Sequence, residues 1–323
     1  MLGMFDQKCL EALVAVAEEG GFERAARRLN LTQSAVSQRI RQLEEALGRP
    51  VLARTQPPTP TAPGQALLRH ARRVGLLGAE LEAELAENAA APGLPAWQTL
   101  AVAVNADTLA TWFTQAVLPL LAEADEPPPP CQQRLAPSQR LVLDLRVDDQ
   151  ERTHDMLRRG EVAGCVSTRP TPMQGCRVEF LGVMRYHCCA SPGFAARWFP
   201  AGLTLSAAAL APAVVFNRDD AVHDRFLCEA LGQSPPSGAG GAPRHHVPNS
   251  ERFVDFVRHG AGYGLIPHLQ AGPLLATGAL VDLAPRRVLP VALHWHCWNI
   301  PSVLLERLTK ALQRAGREVL LAE

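Results

Sequence analysis

The 323-residue sequence predicts a small all-α domain, a long connecting helix and a larger α/β domain. Three observations carry that reading. Residues 22–48 have the spacing of two short helices around a tight turn. Residues 63–91 carry apolar side chains at heptad intervals. Beyond residue 99, strand-like runs alternate with helical patterns. At 47% hydrophobic residues, a chain of this length can bury more than one core, so two or three domains are expected. No apolar run reaches about 18 residues and no basic-then-apolar leader is present, so the expectation is a soluble, cytoplasmic protein with no membrane partner.

Leu10, Leu13, Val14 and Ala17 form the inner stripe of a first helix. A second, over 22–29, places Ala25, Ala26 and Leu29 on one side, and the small alanines allow a close helix crossing. Asn30 and Leu31 break it. Thr32 can then cap a third helix from Gln33, its hydroxyl accepting from amides of the first turn. In that helix Val36, Ile40, Leu43 and Leu47 face inward, while Gln33, Ser34, Ser37, Gln38 and Arg41 lie opposite. Those side chains suit base edges in a major groove, since glutamine can bridge adenine and arginine guanine. Double-stranded DNA is therefore the expected partner. Net charge is zero overall, yet residues 1–74 hold 11 Lys/Arg against 7 Asp/Glu, so the positive end coincides with the helix-turn-helix. The proline-rich run after Gly48 has the look of a wing, with Val51 and Leu52 tucked under and Arg54 available to a phosphate or the minor groove; Pro57, Pro58 and Pro60 keep it extended.

Pro63 suits the first turn of a helix running to about Ala91. Leu67, Val74 and Leu81 fall seven apart, as do Ala71, Gly78 and Leu85, which predicts pairing with another helix. Gly75 and Gly78 weaken it in isolation. Residues 91–97 are a hinge by composition. Strands are then expected over 99–104, 141–147, 162–168, 178–181, 186–190, 213–216, 263–266, 280–283 and 291–298. Helices are expected over 107–121, 151–159, 220–231, 250–259, 267–276 and 302–321. Such alternation predicts parallel sheets with flanking helices. Residues 123–140, rich in proline, and 234–243 are expected to be surface excursions.

The strand-to-helix passage at 100–113 puts Asn105, Asp107 and Thr108 in a helical first turn, where free amides can hold a carboxylate and Asp107 an ammonium group. A ligand with both groups is an amino acid. Further carboxylates fall at expected strand or helix ends: Asp149, Asp219, Asp220 and Glu251. Acids converging on one cleft favour a cationic ligand such as lysine or arginine. The competing reading is that each is simply a helix cap.

The motif Phe22, Ala25, Ala26, Leu29, T-Q-S-A-V-S from Thr32 to Ser37, Ile40, Leu43 and Glu44 resembles the DNA-binding domain of LysR-type transcriptional regulators. The resemblance implies a winged helix-turn-helix over 1–62 and a linker helix over 63–91 that pairs antiparallel with its counterpart in a homodimer or homotetramer. It implies a two-lobed effector domain over 92–323, like periplasmic binding proteins. Lobe I would span about 97–168 and 267–323, lobe II about 169–266, with a small-molecule effector between them. RNA polymerase is a further implied partner. Within the family the chain is most similar to the arginine/lysine-responsive branch, which controls a basic-amino-acid exporter. The pieces that match it are R-T-x-P-P-x-P-T at 54–61, L-A-V-N-A-D-[ST]-L-A-T-W at 100–112 with one variation, L-R-R-G-E-V-x-G at 157–164 and I-P-H-L-Q at 266–270. One departure is Ala221, where that branch carries an acid.

Three rival functions are set against these residues. No G-x-S-x-G, P-loop or dinucleotide-binding glycine pattern occurs, so an enzyme is not expected. His294 and His296 share a strand face, but two ligands without a third make a weak metal site, and His187-Cys188-Cys189 and His245-His246 are no stronger. Eight scattered cysteines without a C-x-x-C pair suit buried thiols better than a redox sensor or metal site; a sensor needs an accessible, low-pKa thiol. No cofactor is expected. The third rival is a ligand-free, purely architectural DNA binder.

Overall fold

The computed structural model describes residues 5–87, 97–122, 140–148, 150–232 and 242–322. Asp6 caps α1 (Gln7–Glu19) by accepting from the Lys8 amide at 2.7 Å, and Gly20 ends it in the left-handed region. Asn30, at φ 53°, turns the chain between α2 (Phe22–Arg28) and α3 (Gln33–Leu47). The Thr32 hydroxyl accepts from the Ala35 amide at 3.2 Å, as the cap requires. Leu13, Val16, Ala25, Val36, Ile40 and Leu43 close a core that also takes in Val51 and Leu52 beneath the wing. That wing is a short antiparallel pair, β1 (Leu52–Ala53) and β2 (Thr59–Pro60).

The connecting helix α4 (Ala62–Glu87) belongs to two cores. Leu67, Leu68 and Ala71 pack on the helix-turn-helix, whereas Leu76 joins the α/β core. Its polar side chains tie it to the α/β domain as well. Arg69 Nη1 donates to the Arg158 carbonyl at 2.9 Å and Arg72 Nη1 to the Gly160 carbonyl at 2.8 Å. Arg72 also pairs with Glu18 of α1 at 3.2 Å, so one guanidinium touches both domains. Gly160 has φ 70°, and a Cβ there would lie 2.3 Å from Arg69 Cγ; only glycine permits this approach. On the outer side Val74, Leu81 and Leu85 are 41%, 54% and 61% exposed.

The α/β domain begins with β3 (Trp97–Val104). A helical stretch follows: α5 (Ala106–Thr108), a π-helical turn (Leu109–Phe113) and α6 (Thr114–Ala122). Then come β4 (Arg140–Val147), α7 (Gln150–Arg159), β5 (Gly164–Ser167) and β6 (Cys176–Ala190). The second lobe adds α8 (Pro192–Trp198), α9 (Leu205–Leu210), β7 (Ala213–Val215), α10 (Val222–Leu231) and β8 (Arg244–His246). It continues through α11 (Ser250–Arg258), β9 (Gly264–Pro267), α12 (His268–Ala276) and β10 (Val281–Asp282). The chain closes with β11 (Leu289–Trp298) and α13 (Val303–Val319).

β3 pairs in parallel with β4 and β5, and β7 with β8; β11 and β6 run antiparallel to each other, and β11 to β5. The sheet is therefore mixed rather than parallel throughout. β6 is long enough to serve both lobes. Its residues 176–186 pair with β11, and its far end pairs with β9 and β10. The two strands expected over 178–181 and 186–190 are one, because Gly182 (φ 141°) keeps the chain extended where Leu320 presses against it. The return to lobe I also comes later than the expected residue 267. β10 pairs with the far end of β6, and Ala271 and Leu280 share a core with Val214, Val257 and Ile266, so the crossing back is β11 itself. The hinge at 91–96 and the excursions at 123–139 and 234–241 lie outside the described residues, as does Cys131. No helix among the described residues is long and apolar enough to cross a membrane.

Candidate functional sites: an exposed helix face and an acidic cleft

The apolar stripe of α3 is buried, so helical periodicity sends its other face outward. Thr32, Gln33, Ser34, Ser37, Gln38 and Arg41 are all exposed, and Arg54 is exposed on the neighbouring wing. Thr32 and Ser34 hydroxyls lie 2.9 Å apart, leaving the longer side chains as the reach of this face.

The second site lies where β3 hands over to α5. Asn105 caps that turn, its side-chain oxygen accepting from the Thr108 amide at 2.7 Å. This sets Asp107 at the wall of a cavity of about 440 Å³, within the range of small-ligand sites. Tyr186, on the inter-lobe strand β6, donates to Asp107 Oδ2 at 2.7 Å, and Ser250, opening α11 in lobe II, donates to Oδ1 at 2.6 Å. Burial raises the Asp107 carboxyl above its ordinary pKa; the two hydroxyl donors pull it back in part, and the charge of Asp220 adds to the rise. Asp107 is half-buried and lines the cavity, each of its carboxylate oxygens accepting from one hydroxyl.

Asp148, Asp219 and Asp220 complete the acidic lining. Asp220 braces its own loop, accepting from the amides of Phe216 at 3.1 Å and Val222 at 2.9 Å. Phe216, Phe253 and Leu265 supply apolar wall between the acids, a surface for an aliphatic stem. His223 is buried in the lining, and burial pushes its imidazole down to about 4. It is neutral at pH 7, so the cavity's charge comes from its carboxylates and from Arg225.

Of the residues expected to line a ligand site, the structure brings Asn105, Asp107, Asp219 and Asp220 to this cavity. Thr108 is fully buried behind the wall, because its place in the turn points it into the core. Glu251 is exposed and off the cavity; one position earlier, Ser250 faces it, while Asn249 takes the capping role by accepting from the Arg252 amide at 2.9 Å. Asp149 lies outside the described residues, and its neighbour Asp148 lines the cavity. Tyr186, Ser250 and Asp148 join the site with no local sequence pattern to mark them. On the strand carrying His294, His296 Nε2 donates to the Arg169 carbonyl at 2.7 Å.

Comparison with known proteins finds matches to both domains. Residues 8–65 match the bacterial regulatory helix-turn-helix family named for lysR, and residues 133–316 match the LysR substrate binding domain. The chain is 45% identical over 314 residues to the HTH-type transcriptional regulator ArgP of Pseudomonas aeruginosa, covering 97% of each chain. It is 44% identical over 315 residues to ArgP of Aeromonas salmonicida, covering 98% of each. Among solved structures, ArgP of Mycobacterium tuberculosis superposes with a TM-score of 0.81 at 35% identity, with 98% of each chain covered. Full-length LysG of Corynebacterium glutamicum with bound effector Arg superposes with a TM-score of 0.76 at 31% identity, covering 98% of this chain and 100% of the other. The exposed helix face, the two-lobed domain behind it and these likenesses over nearly its whole length make the chain a member of the LysR family of DNA-binding transcriptional regulators, not an enzyme.

Proposed function

We propose that this regulator responds to a basic amino acid, lysine or arginine, bound in the acidic cleft, and that it controls export or metabolism of basic amino acids. The observation that carries the reading is Asp107, a desolvated carboxylate held by Tyr186 and Ser250 beside three more acids and an apolar wall. The ligand's α-ammonium placed there relieves the cost of that burial, and the methylene stem covers Phe216 and Phe253 on its way to the other acids. The LysG structure, solved with arginine, lends the same choice. On the DNA side, Gln33, Ser34, Ser37, Gln38 and Arg41 read base edges, Thr32 holds the helix start, and Arg54 binds backbone or minor groove. Residues 1–62, 63–91 and 92–323 act as DNA-binding, dimerising and effector units, with α4 pairing through Val74, Leu81 and Leu85.

A thermal-shift screen of the full chain against the twenty amino acids tests the effector. Stabilisation by lysine or arginine alone is the expected result, growing with concentration as ligand linkage requires. Equal shifts with neutral amino acids, or none with any, count against it.

A further inference from the structure

The rim of the cleft already contains a cation. Arg152, on α7 of lobe I, places Nη1 3.9 Å from Asp148 Oδ1 and Nη2 3.9 Å from Asp219 Oδ2. Asp148 ends the strand side of lobe I, Asp219 belongs to the lobe II loop before α10, and both line the cavity. One guanidinium thus joins the two lobes through the carboxylates that a cationic ligand would seek.

We propose that Arg152 sets the affinity for the effector, as a tethered cation that occupies the rim acids in the ligand-free protein and is displaced by the side-chain cation of the effector. The proposal rests on the basic-amino-acid reading above. Both pairs sit at the outer limit of ion-pair contact, and the side chains of Arg152 and Asp219 are 64% and 73% exposed. Exposed pairs of this kind each shift an equilibrium by less than about fivefold, so the latch is weak enough for a ligand to open. A neutral amino acid carries no charge to compete for Asp148 and Asp219 and leaves the latch in place, so the latch weighs on cationic ligands alone. The residue is also placed to report its displacement. α7 spans ten residues, about 15 Å of helix, from the rim to Arg158 and Gly160, whose neighbouring carbonyls are held by Arg69 and Arg72 of α4. Release of Arg152 frees the rim end of an element whose other end is bonded to the linker, and this biases the two arrangements of the regulator.

The test uses the full chain and titrates lysine, arginine and norleucine into the wild type, Arg152→Gln and Arg152→Lys. Arg152→Gln is expected to tighten lysine and arginine binding about two- to tenfold, with norleucine unchanged and Arg152→Lys close to wild type. Unchanged or weaker binding of both basic amino acids to a folded Arg152→Gln protein overturns the latch and leaves the functional reading standing. If the wild type binds no basic amino acid, the functional reading fails. The latch is then judged on ligand-free protein, by a urea-midpoint double-mutant cycle between Arg152→Gln and Asp219→Asn. Non-zero favourable coupling supports the bridge between lobes, and zero coupling overturns it.

Discussion

Asp107 concentrates the chemistry of the cleft in one carboxyl group. Its folded pKa is raised by burial, so the folded protein keeps the proton to a higher pH than the unfolded chain does. Its contribution to stability is therefore greatest below the ordinary carboxylate range and is lost as pH rises through the folded value. Asp107→Asn cannot titrate while still accepting from Tyr186, so the melting temperature of the ligand-free variant should fall less than that of the wild type as pH rises through and above the carboxylate range. The same variant should lose basic-amino-acid binding by about 30-fold or more, since truncating a buried charge pair costs roughly 2 kcal/mol at least. Differential scanning calorimetry and titration of one sample check both halves. His223 has the opposite slope. Its pKa is lowered to about 4, so the stability it carries is present above about pH 6.5 and lost as pH falls through the folded value. His223→Gln should flatten the melting-temperature profile between those limits. Asp107 was legible because a strand running into a capped turn is a local pattern. Thr108 and Glu251 misled because the phase of a first turn decides which residue faces the cavity, and a sequence shows the turn before it shows the phase. Tyr186 and Ser250 come from elements 79 and 143 residues away, a closeness that no local spacing reveals.

At the scale of elements, the proposed DNA contacts fall on α3 and the wing. Gln38→Ala should relax sequence choice, with about 1–3 kcal/mol of discrimination at stake for a bidentate base contact. Arg54→Ala should weaken all sites alike and lower the salt slope by about 0.9. Fluorescence anisotropy on matched and mutated operators, at several salt concentrations, separates the two. The outer stripe of α4 makes its own prediction. A Leu81→Glu, Leu85→Glu double variant puts two charges on the exposed stripe proposed to pair with a partner helix, and it should shift the protein towards monomer in analytical ultracentrifugation. The helix-turn-helix and α4 were readable because caps, stripe and heptads agree over short distances. The division of β6 was misread, since a glycine in a strand-like run looks like a turn until Leu320 is seen packed against it.

Across the whole molecule, hydrogen bonds and an ion pair join the two lobes at the cleft and tie the linker helix to both domains. Asp107 meets lobe II through Ser250, α7 meets α4 at Arg158 and Gly160, and Arg72 meets α1 at Glu18. Glu80 strengthens the joint by accepting from Ser302 Oγ at 2.6 Å and the Leu304 amide at 3.2 Å, at the start of α13. Effector binding can change DNA engagement only if it favours one arrangement of these parts over another. The two-lobed plan was foreseen from the resemblance. The single long strand that ties the lobes, and the late return on β11, depend on pairings between segments more than 100 residues apart.

Isothermal titration of the full chain with arginine, lysine and norleucine tests whether a basic amino acid occupies the acidic cleft. Saturable binding of arginine or lysine, absent with norleucine and lost in Asp107→Asn, is the predicted result. Binding that survives Asp107→Asn unchanged, or that is equal for norleucine, would contradict it.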